Sequence, residues 1–340
     1  MCGIVGAATH RNVYKILIEG LHRLEYRGYD SAGLSIIDEY KKLHTRKSVG
    51  KVAALEAVAE QQPLAGNTGI AHTRWATHGK PSTINSHPHT SNGVSVVHNG
   101  IIENHDQLRK DVIALGYEIL SETDSEVIGH LVHHQLKTTD DLRTAVQHVI
   151  AKLEGAYALG VIVDDQPHTI IGARSGSPLV VGLGIDEHFI ASDQMALRQV
   201  TDRFIFLEEG DLVELSAEKC SIYDDKGNSV ERSHQQLDEK DFVAEKGEYR
   251  HFMKKEMFEQ ASVLADTTAG RIGDDHILEA IFGYQADAIF TQTNNIHIIA
   301  CGTSFHSGLV AKYWLEEHVG VPCQVEVASE YRYRKVPVPA

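Results

Sequence analysis

The sequence lacks three features that would each define a class of protein. Its four cysteines are far apart and form no CxxC pair, so neither a disulfide framework nor a redox motif is expected. No apolar run approaches the roughly 18 residues that span a bilayer, and no secretory signal precedes the first strand. Basic residues are the minority, 32 against 47 acidic, which gives a net charge of −15 and disfavours nucleic acid as a partner. We therefore expect a cytoplasmic protein that binds neither membranes nor nucleic acids.

Histidine is the unusual component of an otherwise ordinary globular composition. Of 21 histidines, six fall within one short stretch: His72, His78, His87, His89, His98 and His105. They match no recognised spacing of metal ligands. We therefore expect no metal at these histidines. We expect their imidazoles to act as hydrogen-bonding partners around an active loop. His130, which lies at helical spacing from His133 and His134, is expected on the surface.

The apolar pattern predicts two architectures in succession within a length that suggests about two domains. Up to residue 224, short strands, turn signals and a few amphipathic helices favour an α+β domain with antiparallel sheets. A charged, apolar-poor stretch at 231–248 is interpreted as a linker. Three elements after a helix at 249–264 then form one βαβ crossover: 296–300, 307–318 and 323–328. One crossover cannot bury both faces of a sheet, so we expect the second domain to be incomplete.

Cys2 is the first candidate for chemistry. Initiator methionine is normally removed before a small residue, so the mature chain is expected to begin with this cysteine. The α-amine of a first residue has a pKa of about 7.7–8.0 and can take the thiol proton directly or through a water molecule. Taken alone, Cys2 also fits a small buried residue in a terminal strand.

Five segments together resemble the class II glutamine amidotransferases, which use an N-terminal cysteine. They are MCGIVG at 1–6, LEYRGYDSAG at 24–33, HTRWATHG at 72–79, HNGIIEN at 98–104 and SETDS at 121–125. The second segment narrows the resemblance to the branch that uses fructose 6-phosphate. The resemblance implies an N-terminal-nucleophile hydrolase fold, an αββα sandwich, followed by an incomplete α/β sugar-isomerase (SIS) domain. The expected division is a glutaminase domain at 1–230, a linker at 231–248 and part of the first SIS domain at 249–340.

Two charged residues within these segments suit the two ends of glutamine. A guanidinium such as that of Arg74 is a natural bidentate clamp for the α-carboxylate, and Asp124 would complement the α-ammonium. A surface ion pair is the alternative for Arg74. Thr123 and Glu126 have the spacing of a helix capping box, which alone would account for an aspartate between them.

The same resemblance implies roles for the remaining residues of the glutaminase site. Asn99, through its side-chain amide, and Gly100, through its backbone N–H, would form the oxyanion hole; a tight hairpin turn is the alternative for this dipeptide. The loop after residue 74 would close over glutamine. Thr77 and His78 would contact the glutamine, and Trp75 would gate the path of the ammonia. Arg27 would help to close the site.

A turn between a strand and a helix is the candidate phosphate site of the second domain. Backbone N–H groups and hydroxyls at such a turn can hold a phosphate, and the resemblance implies a sugar-phosphate contact by Cys301, Gly302, Thr303 and Ser304. The motif is neither a Walker A loop nor GxGxxG. Ala261 stands where the family usually has proline, which weakens a local helix stop.

The expected reaction is transfer of ammonia from L-glutamine to fructose 6-phosphate, giving glucosamine 6-phosphate and glutamate without a metal or organic cofactor. The complete family members are expected to be homodimers. Because the family places the isomerase acids and bases beyond residue 340, this chain alone is expected only to hydrolyse glutamine. Two alternatives are another class II amidotransferase, such as the phosphoribosylamine-forming enzyme, and a non-catalytic sugar-phosphate-binding regulator with a vestigial glutaminase.

Overall fold

The computed structural model describes residues 2–76, 78–237, 249–268 and 286–335. The chain divides into two compact units, Met1–Glu245 and Lys246–Ala340. Thr77 and residues 238–248, which include most of the predicted linker, lie outside the described residues. Each unit is described by itself.

Antiparallel strands form the body of the first unit. In chain order they are β1 (Gly3–Ala8), β2 (Ser31–Ile37), β3 (Leu43–Val49), β4 (Thr68–Arg74), β5 (His89–Ser91), β6 (Val94–Ile102), β7 (Gly155–Val163), β8 (Ile170–Ser175), β9 (Val180–Leu183), β10 (His188–Ala191), β11 (Arg203–Phe206), β12 (Leu212–Leu215), β13 (Cys220–Tyr223), β14 (Ser229–Val230) and β15 (His234–Gln236). An eight-stranded sheet has the order β15-β11-β9-β10-β1-β4-β2-β3, and a seven-stranded sheet has the order β14-β13-β12-β8-β7-β6-β5.

Helices cover the outer face of each sheet. They are α1 (Tyr14–Arg23), α2 (Val52–Gln61), α3 (His105–Ala114), α4 (Glu126–Leu136) and α5 (Leu142–Ile150), with short 3-10 turns at Glu25–Arg27 and Gln194–Leu197. Helix α5 begins where the side chain of Asp141 accepts a hydrogen bond from the backbone N–H of Thr144 (2.8 Å), which satisfies one of the unpaired donors of the first turn.

Three apolar clusters hold the layers together. Leu17 and Leu55 on the helices pack against the outer face of the eight-stranded sheet, and α3, α4 and α5 pack on the seven-stranded sheet. Ile4 and Ile70 of the first sheet meet Val97 of the second in a cluster between the sheets. Since strands such as β1 are buried on both faces, the layers follow the order helix, sheet, sheet, helix, and the predicted αββα sandwich is confirmed.

The first unit extends beyond the predicted end of its domain. Strand β15 pairs with β11, with Phe204 opposite Gln235, and the guanidinium of Arg232 donates to both carboxylate oxygens of Asp211 (3.0 and 2.8 Å). The prediction that a linker starts at residue 231 was therefore wrong, because residues with little apolar character are held by ladder hydrogen bonds and an ion pair instead of by burial.

The second unit contains the predicted βαβ crossover. Its elements are α6 (Phe252–Thr268), α7 (Ala286–Gln292), β16 (Ile296–Ala300), α8 (Gly302–Trp314), a π-helical turn (Leu315–Val319), β17 (Cys323–Val327) and α9 (Ala328–Arg332). β16 and β17 are parallel, with Ile298 opposite Val325. Helix α8 packs on these two strands through Gly308, where an added Cβ would lie 3.0 Å from the side chains of both Ile298 and Val325. The crossover helix starts five residues earlier than predicted. No helix in the described parts of the chain is both long and apolar enough to cross a membrane.

We predict that Phe189→Ala lowers the free energy of unfolding by about 3–5 kcal/mol, because it removes a fully buried aromatic ring from the cluster beneath α1. Phe206→Ala is the matched control, since that ring on β11 is already 37% exposed and its removal should therefore cost less. Urea denaturation followed by far-ultraviolet circular dichroism measures both. Equal losses in the two variants would contradict this account of the core.

Candidate active site

The pairing of β1 with β4 brings Cys2 to the end of both strands. Gly3 lies opposite Thr73, so Cys2 comes beside the chain that leaves β4. The backbone N–H of Trp75 donates to Cys2 Sγ (3.3 Å), and Sγ lies 3.6 Å from the Trp75 carbonyl oxygen. Burial raises the pKa of the Cys2 thiol, an effect that the Trp75 N–H and the charge of Arg74 oppose. Among the described residues, no side chain hydrogen-bonds to Sγ, so the thiol proton has no side-chain base there.

Asn99 and Gly100 lie inside β6 and not in a turn. They pair with Ala158 and Tyr157 of β7, so the hairpin-turn alternative was wrong. The amide of Asn99 donates through Nδ2 to the carbonyl oxygen of Cys2 (3.2 Å). Gly100 has a φ of 130°, and an added Cβ would lie 1.9 Å from the carbonyl oxygen of Ala156. Glycine is therefore required at this point, in the lining of the pocket that contains Cys2.

Arg74, the last residue of β4, is 4% exposed and holds the loop that follows it. Its Nη2 donates to the carbonyl oxygens of His78 and Gly79 (2.8 Å to Gly79), and its Nη1 lies 3.5 Å from the carbonyl oxygen of Lys80. Nη1 is also 3.8 Å from a carboxylate oxygen of Asp30. Arg74 is thus a buried cation that organises this loop, and the alternative of a surface ion pair was wrong.

Asp124 lies just before α4 and is 3% exposed. Its Oδ2 accepts from the backbone N–H of Ile102 (2.8 Å), and its Oδ1 is 3.2 Å from Ser125 Oγ and 4.0 Å from Nδ1 of His78. One carboxylate oxygen is therefore fixed by the strand, and the other points among polar groups.

The predicted capping box does not form. Ser125 occupies the cap position of α4 without a side-chain cap bond. Glu126 instead accepts from the backbone N–H groups of Leu120 (2.9 Å) and Ser121 (2.6 Å), and the pKa of Glu126 is lowered to about 2 by its hydrogen bonds, against the opposing effect of burial. Its carboxylate thus braces the segment that carries Asp124.

One small pocket gathers most of the predicted glutaminase residues. It is lined by Cys2, Arg74, Trp75, His78, His87, His98, Gly100, Thr123, Asp124 and Ser125. Its volume of about 10 Å³ is that of roughly one water molecule, so a molecule the size of glutamine requires movement of the lining. Trp75 is the mobile candidate, since its side chain is 54% exposed.

Two of the predicted residues that the structure describes, Asn99 and Arg27, do not line this pocket. Asn99 is in contact with Cys2 through its amide, as described above. Arg27 pairs with Asp193 and donates to the hydroxyl of Tyr26 (3.1 Å), while the adjacent Gly28 faces the indole of Trp75, which an added Cβ would approach to 3.0 Å. Arg27 therefore borders the loop. Thr77 lies outside the described residues.

Four lining residues were not among the predicted substrate or catalytic residues: Thr123, Ser125, His87 and His98. The two histidines belong to the cluster that was expected to form hydrogen bonds around the active loop. His87 and His98 are fully buried, and burial lowers the pKa of both, so both rings are uncharged at neutral pH. His98 Nδ1 is 2.7 Å from Ser125 Oγ, and His89 Nε2 is 3.0 Å from Thr123 Oγ1. The histidine cluster and the 121–125 segment were the available signals, but the sequence does not show that they meet.

His130 was wrongly expected on the surface. It is 7% exposed, and its Nδ1 lies 2.8 Å from Ser91 Oγ. His133 and His134 are half-buried. The helical spacing of these histidines described the helix correctly, but it did not show which side of α4 faces the sheet.

Two other features are distinct from the cysteine pocket: a larger cavity in the first unit and the start of α8 in the second. A cavity of about 710 Å³, bordered by Asp38, Tyr40 and His168, is larger than the cysteine pocket but shares no residue with it. In the second unit, Cys301 precedes α8 and Gly302 begins it with a φ of 58°. Of the predicted phosphate residues, Cys301 lies between β16 and α8, whereas Gly302, Thr303 and Ser304 belong to the first turn of the helix and not to a separate turn before it.

The fold of the first unit is that of the class II glutamine amidotransferases. Two family models match: a glutamine amidotransferase domain over residues 72–199 and a SIS domain over residues 289–338. An allosteric regulatory enzyme of purine biosynthesis superposes with a TM-score of 0.55 at 25% identity, over 70% of this chain and 49% of its own. Glutamine phosphoribosylpyrophosphate amidotransferase from B. subtilis gives a TM-score of 0.55 at 21% identity, over 95% of this chain and 65% of its own, a likeness of fold. The predicted N-terminal-nucleophile hydrolase fold is confirmed.

Along almost its whole length the chain is similar in sequence to the glutamine–fructose-6-phosphate aminotransferases (isomerizing). The member from Pseudomonas putida is 57% identical over 339 residues, which is 99% of this chain and 56% of that protein. The 57% identity to this enzyme far exceeds the 21% identity to the phosphoribosylpyrophosphate enzyme. The comparison therefore favours the predicted fructose-6-phosphate branch over the phosphoribosylamine-forming alternative. The chain spans about half the length of the curated relatives it matches.

We predict that Gly100→Ala destabilises the first unit by more than about 2 kcal/mol, because the added methyl group collides with the Ala156 carbonyl and the backbone has a positive φ. Gly116→Ala is the control: its φ is 87°, but nothing lies within 4 Å of the added Cβ, so only the backbone strain of about 1–2 kcal/mol remains. Thermal denaturation compares the two. A smaller loss of melting temperature for Gly100→Ala would contradict the prediction.

Proposed function

We propose that the first unit is a glutaminase domain that uses Cys2 as its nucleophile after removal of Met1. The observation that carries the proposal is the contact of Cys2 with both Trp75 and Asn99 in a pocket that also contains a buried cation and a buried carboxylate. The raised pKa of the thiol means that attack requires a base, and the free α-amine of a first cysteine supplies one on the same residue.

The proposed reaction begins with attack of Sγ on the amide carbon of glutamine. The thiol proton passes to the α-amine, and the carbonyl oxygen becomes an oxyanion held by Nδ2 of Asn99 and the N–H of Gly100. Collapse of the intermediate expels ammonia, which takes up the proton, and leaves a γ-glutamyl thioester on Cys2. A water molecule, deprotonated by the same amine, then attacks the thioester through a second oxyanion and releases glutamate and the thiol.

Substrate recognition is proposed for the charged groups on either side of Cys2. Arg74 would bind the α-carboxylate of glutamine, and the outward oxygen of Asp124 would bind the α-ammonium. The burial of both residues supports this, since charge-assisted hydrogen bonds gain strength away from water. His78, Thr77 and Trp75 would close over the bound glutamine. The contact of Gly28 with the indole supports a role of the neighbouring Arg27 in this closure.

The complete protein is proposed to transfer the ammonia to fructose 6-phosphate and form glucosamine 6-phosphate. The sequence similarity to the glutamine–fructose-6-phosphate aminotransferases and the match of the second unit to a SIS domain support this proposal. We propose that the turn at Cys301, Gly302, Thr303 and Ser304 binds the sugar phosphate, and that the complete protein is a homodimer. The proposed domains are a glutaminase that ends after β15 and part of a SIS domain from residue 249.

We predict that Cys2→Ser lowers the glutaminase kcat of this chain by at least about 10³-fold, because the replacement hydroxyl is a far poorer nucleophile. Cys220→Ser is the control, since that half-buried thiol lies on β13 outside the pocket. Glutamate release measures activity, and intact mass shows whether Met1 has been removed. An active protein that retains Met1, or an active Cys2→Ser variant, would overturn the mechanism.

We also predict that the 340-residue chain, incubated with glutamine and fructose 6-phosphate, releases glutamate but no glucosamine 6-phosphate. Its relatives are nearly twice as long, and the isomerase acids and bases of the family are expected in the remaining part. Mass spectrometry of the reaction mixture detects the amino sugar. Its appearance at a rate comparable to glutamate release would show that this chain carries the whole activity.

A further inference from the structure

His72 links the two sheets directly behind the nucleophile. It lies on β4 with Ile4 of β1 on one side and Gly33 of β2 on the other, and it is fully buried. Its Nε2 lies 2.9 Å from Oδ1 of Asn99 and 3.0 Å from the carbonyl oxygen of His98. The imidazole therefore bonds across the interface to β6 of the other sheet.

The hydrogen-bond partners determine the orientation of the Asn99 amide. The carbonyl oxygen of Cys2 can only accept, so the group of Asn99 that faces it is the NH2. Oδ1 then faces His72, and because Oδ1 and the His98 carbonyl both only accept, Nε2 of His72 carries the proton. Burial lowers the pKa of His72 to about 3, so the ring stays neutral and keeps a hydrogen on a single nitrogen.

We propose that His72 is a positioning residue that fixes the amide of Asn99 with its NH2 toward Cys2. This inference rests on the proposed glutaminase function. The NH2 group has two hydrogens, and one is given to the Cys2 carbonyl, so the second is available to an oxyanion formed next to Sγ. Without the donor from His72, the buried Oδ1 has no partner, and the amide gains by rotating its oxygen toward other donors. The oxyanion would then lose one of its two donors.

Two amide substitutions of His72 test the proposal because they differ in reach. The side-chain nitrogen of His72→Gln falls near the position of Nε2 and can still donate to Asn99, whereas that of His72→Asn falls near Nδ1 and cannot. We expect His72→Gln to keep kcat within about 10-fold of the wild type. His72→Asn should lose about 10²-fold, near the cost of removing an oxyanion donor, with KM changed less than about 3-fold. His188→Gln is the control, since that half-buried imidazole bonds a backbone carbonyl at the far end of the same sheet.

A second measurement separates positioning from damage to the fold. Iodoacetamide alkylates a thiol by direct displacement, which forms no oxyanion, so the alkylation rate of Cys2 should change less than about 2-fold in His72→Asn. In an Asn99→Ala background, where the amide is already absent, His72→Asn should cause less than about 2-fold further loss of kcat.

The outcomes are distinguishable. Equal activity of the Asn and Gln variants, a parallel loss of alkylation, or additive losses with Asn99→Ala would each overturn the positioning role. A wild-type chain without glutaminase activity would instead overturn the proposed function, and this inference with it.

Discussion

The register between β1 and β4 is the constraint on which the site depends. Gly3 opposite Thr73 sets Cys2 against the backbone of Trp75 and leaves Arg74 and His72 on the neighbouring strand. A slip of one residue would turn the side chains of β1 to the opposite faces of the sheet. Burial on both faces prevents this slip, because each apolar side chain of β1 already has a cluster to fill on its own side.

The two sheets meet at the point where the chemistry is proposed. β4 supplies His72 and Arg74, while β6 of the other sheet supplies His98, Asn99 and Gly100. A polar patch inside a sandwich is costly unless its groups bond to one another. Nε2 of His72 and Nδ1 of His98 make such bonds without bringing charge, since burial lowers the pKa of both rings. Neutral imidazoles can therefore fix distances between the sheets, which charged side chains could do only with buried counterions.

The apolar pattern predicted most of the strands, and the resemblance to class II amidotransferases implied the sandwich and the cysteine pocket, but neither indicated features that depend on tertiary pairing. Asn99-Gly100 has the composition of a turn, and only its pairing with β7 makes it part of a strand. The spacing of Thr123 and Glu126 is that of a capping box, yet Glu126 satisfies two backbone N–H groups before the helix instead. Similarly, no periodicity indicates that β15, polar and three residues long, pairs with β11. In each case contacts distant in sequence outweigh a local preference.

Arg74 connects substrate binding with movement of the loop. Its donors are bound to carbonyl oxygens of residues 78–80, and the pocket beside it has room for about one water molecule. A carboxylate carries the charge opposite to that of the guanidinium and can accept two parallel hydrogen bonds from it, which a neutral carbonyl cannot do. An entering α-carboxylate would therefore compete successfully for the guanidinium, and the carbonyls that it displaces would free the loop to move. The residue proposed to bind glutamine is thus also the residue that holds the closed loop, so binding and loop rearrangement become one event.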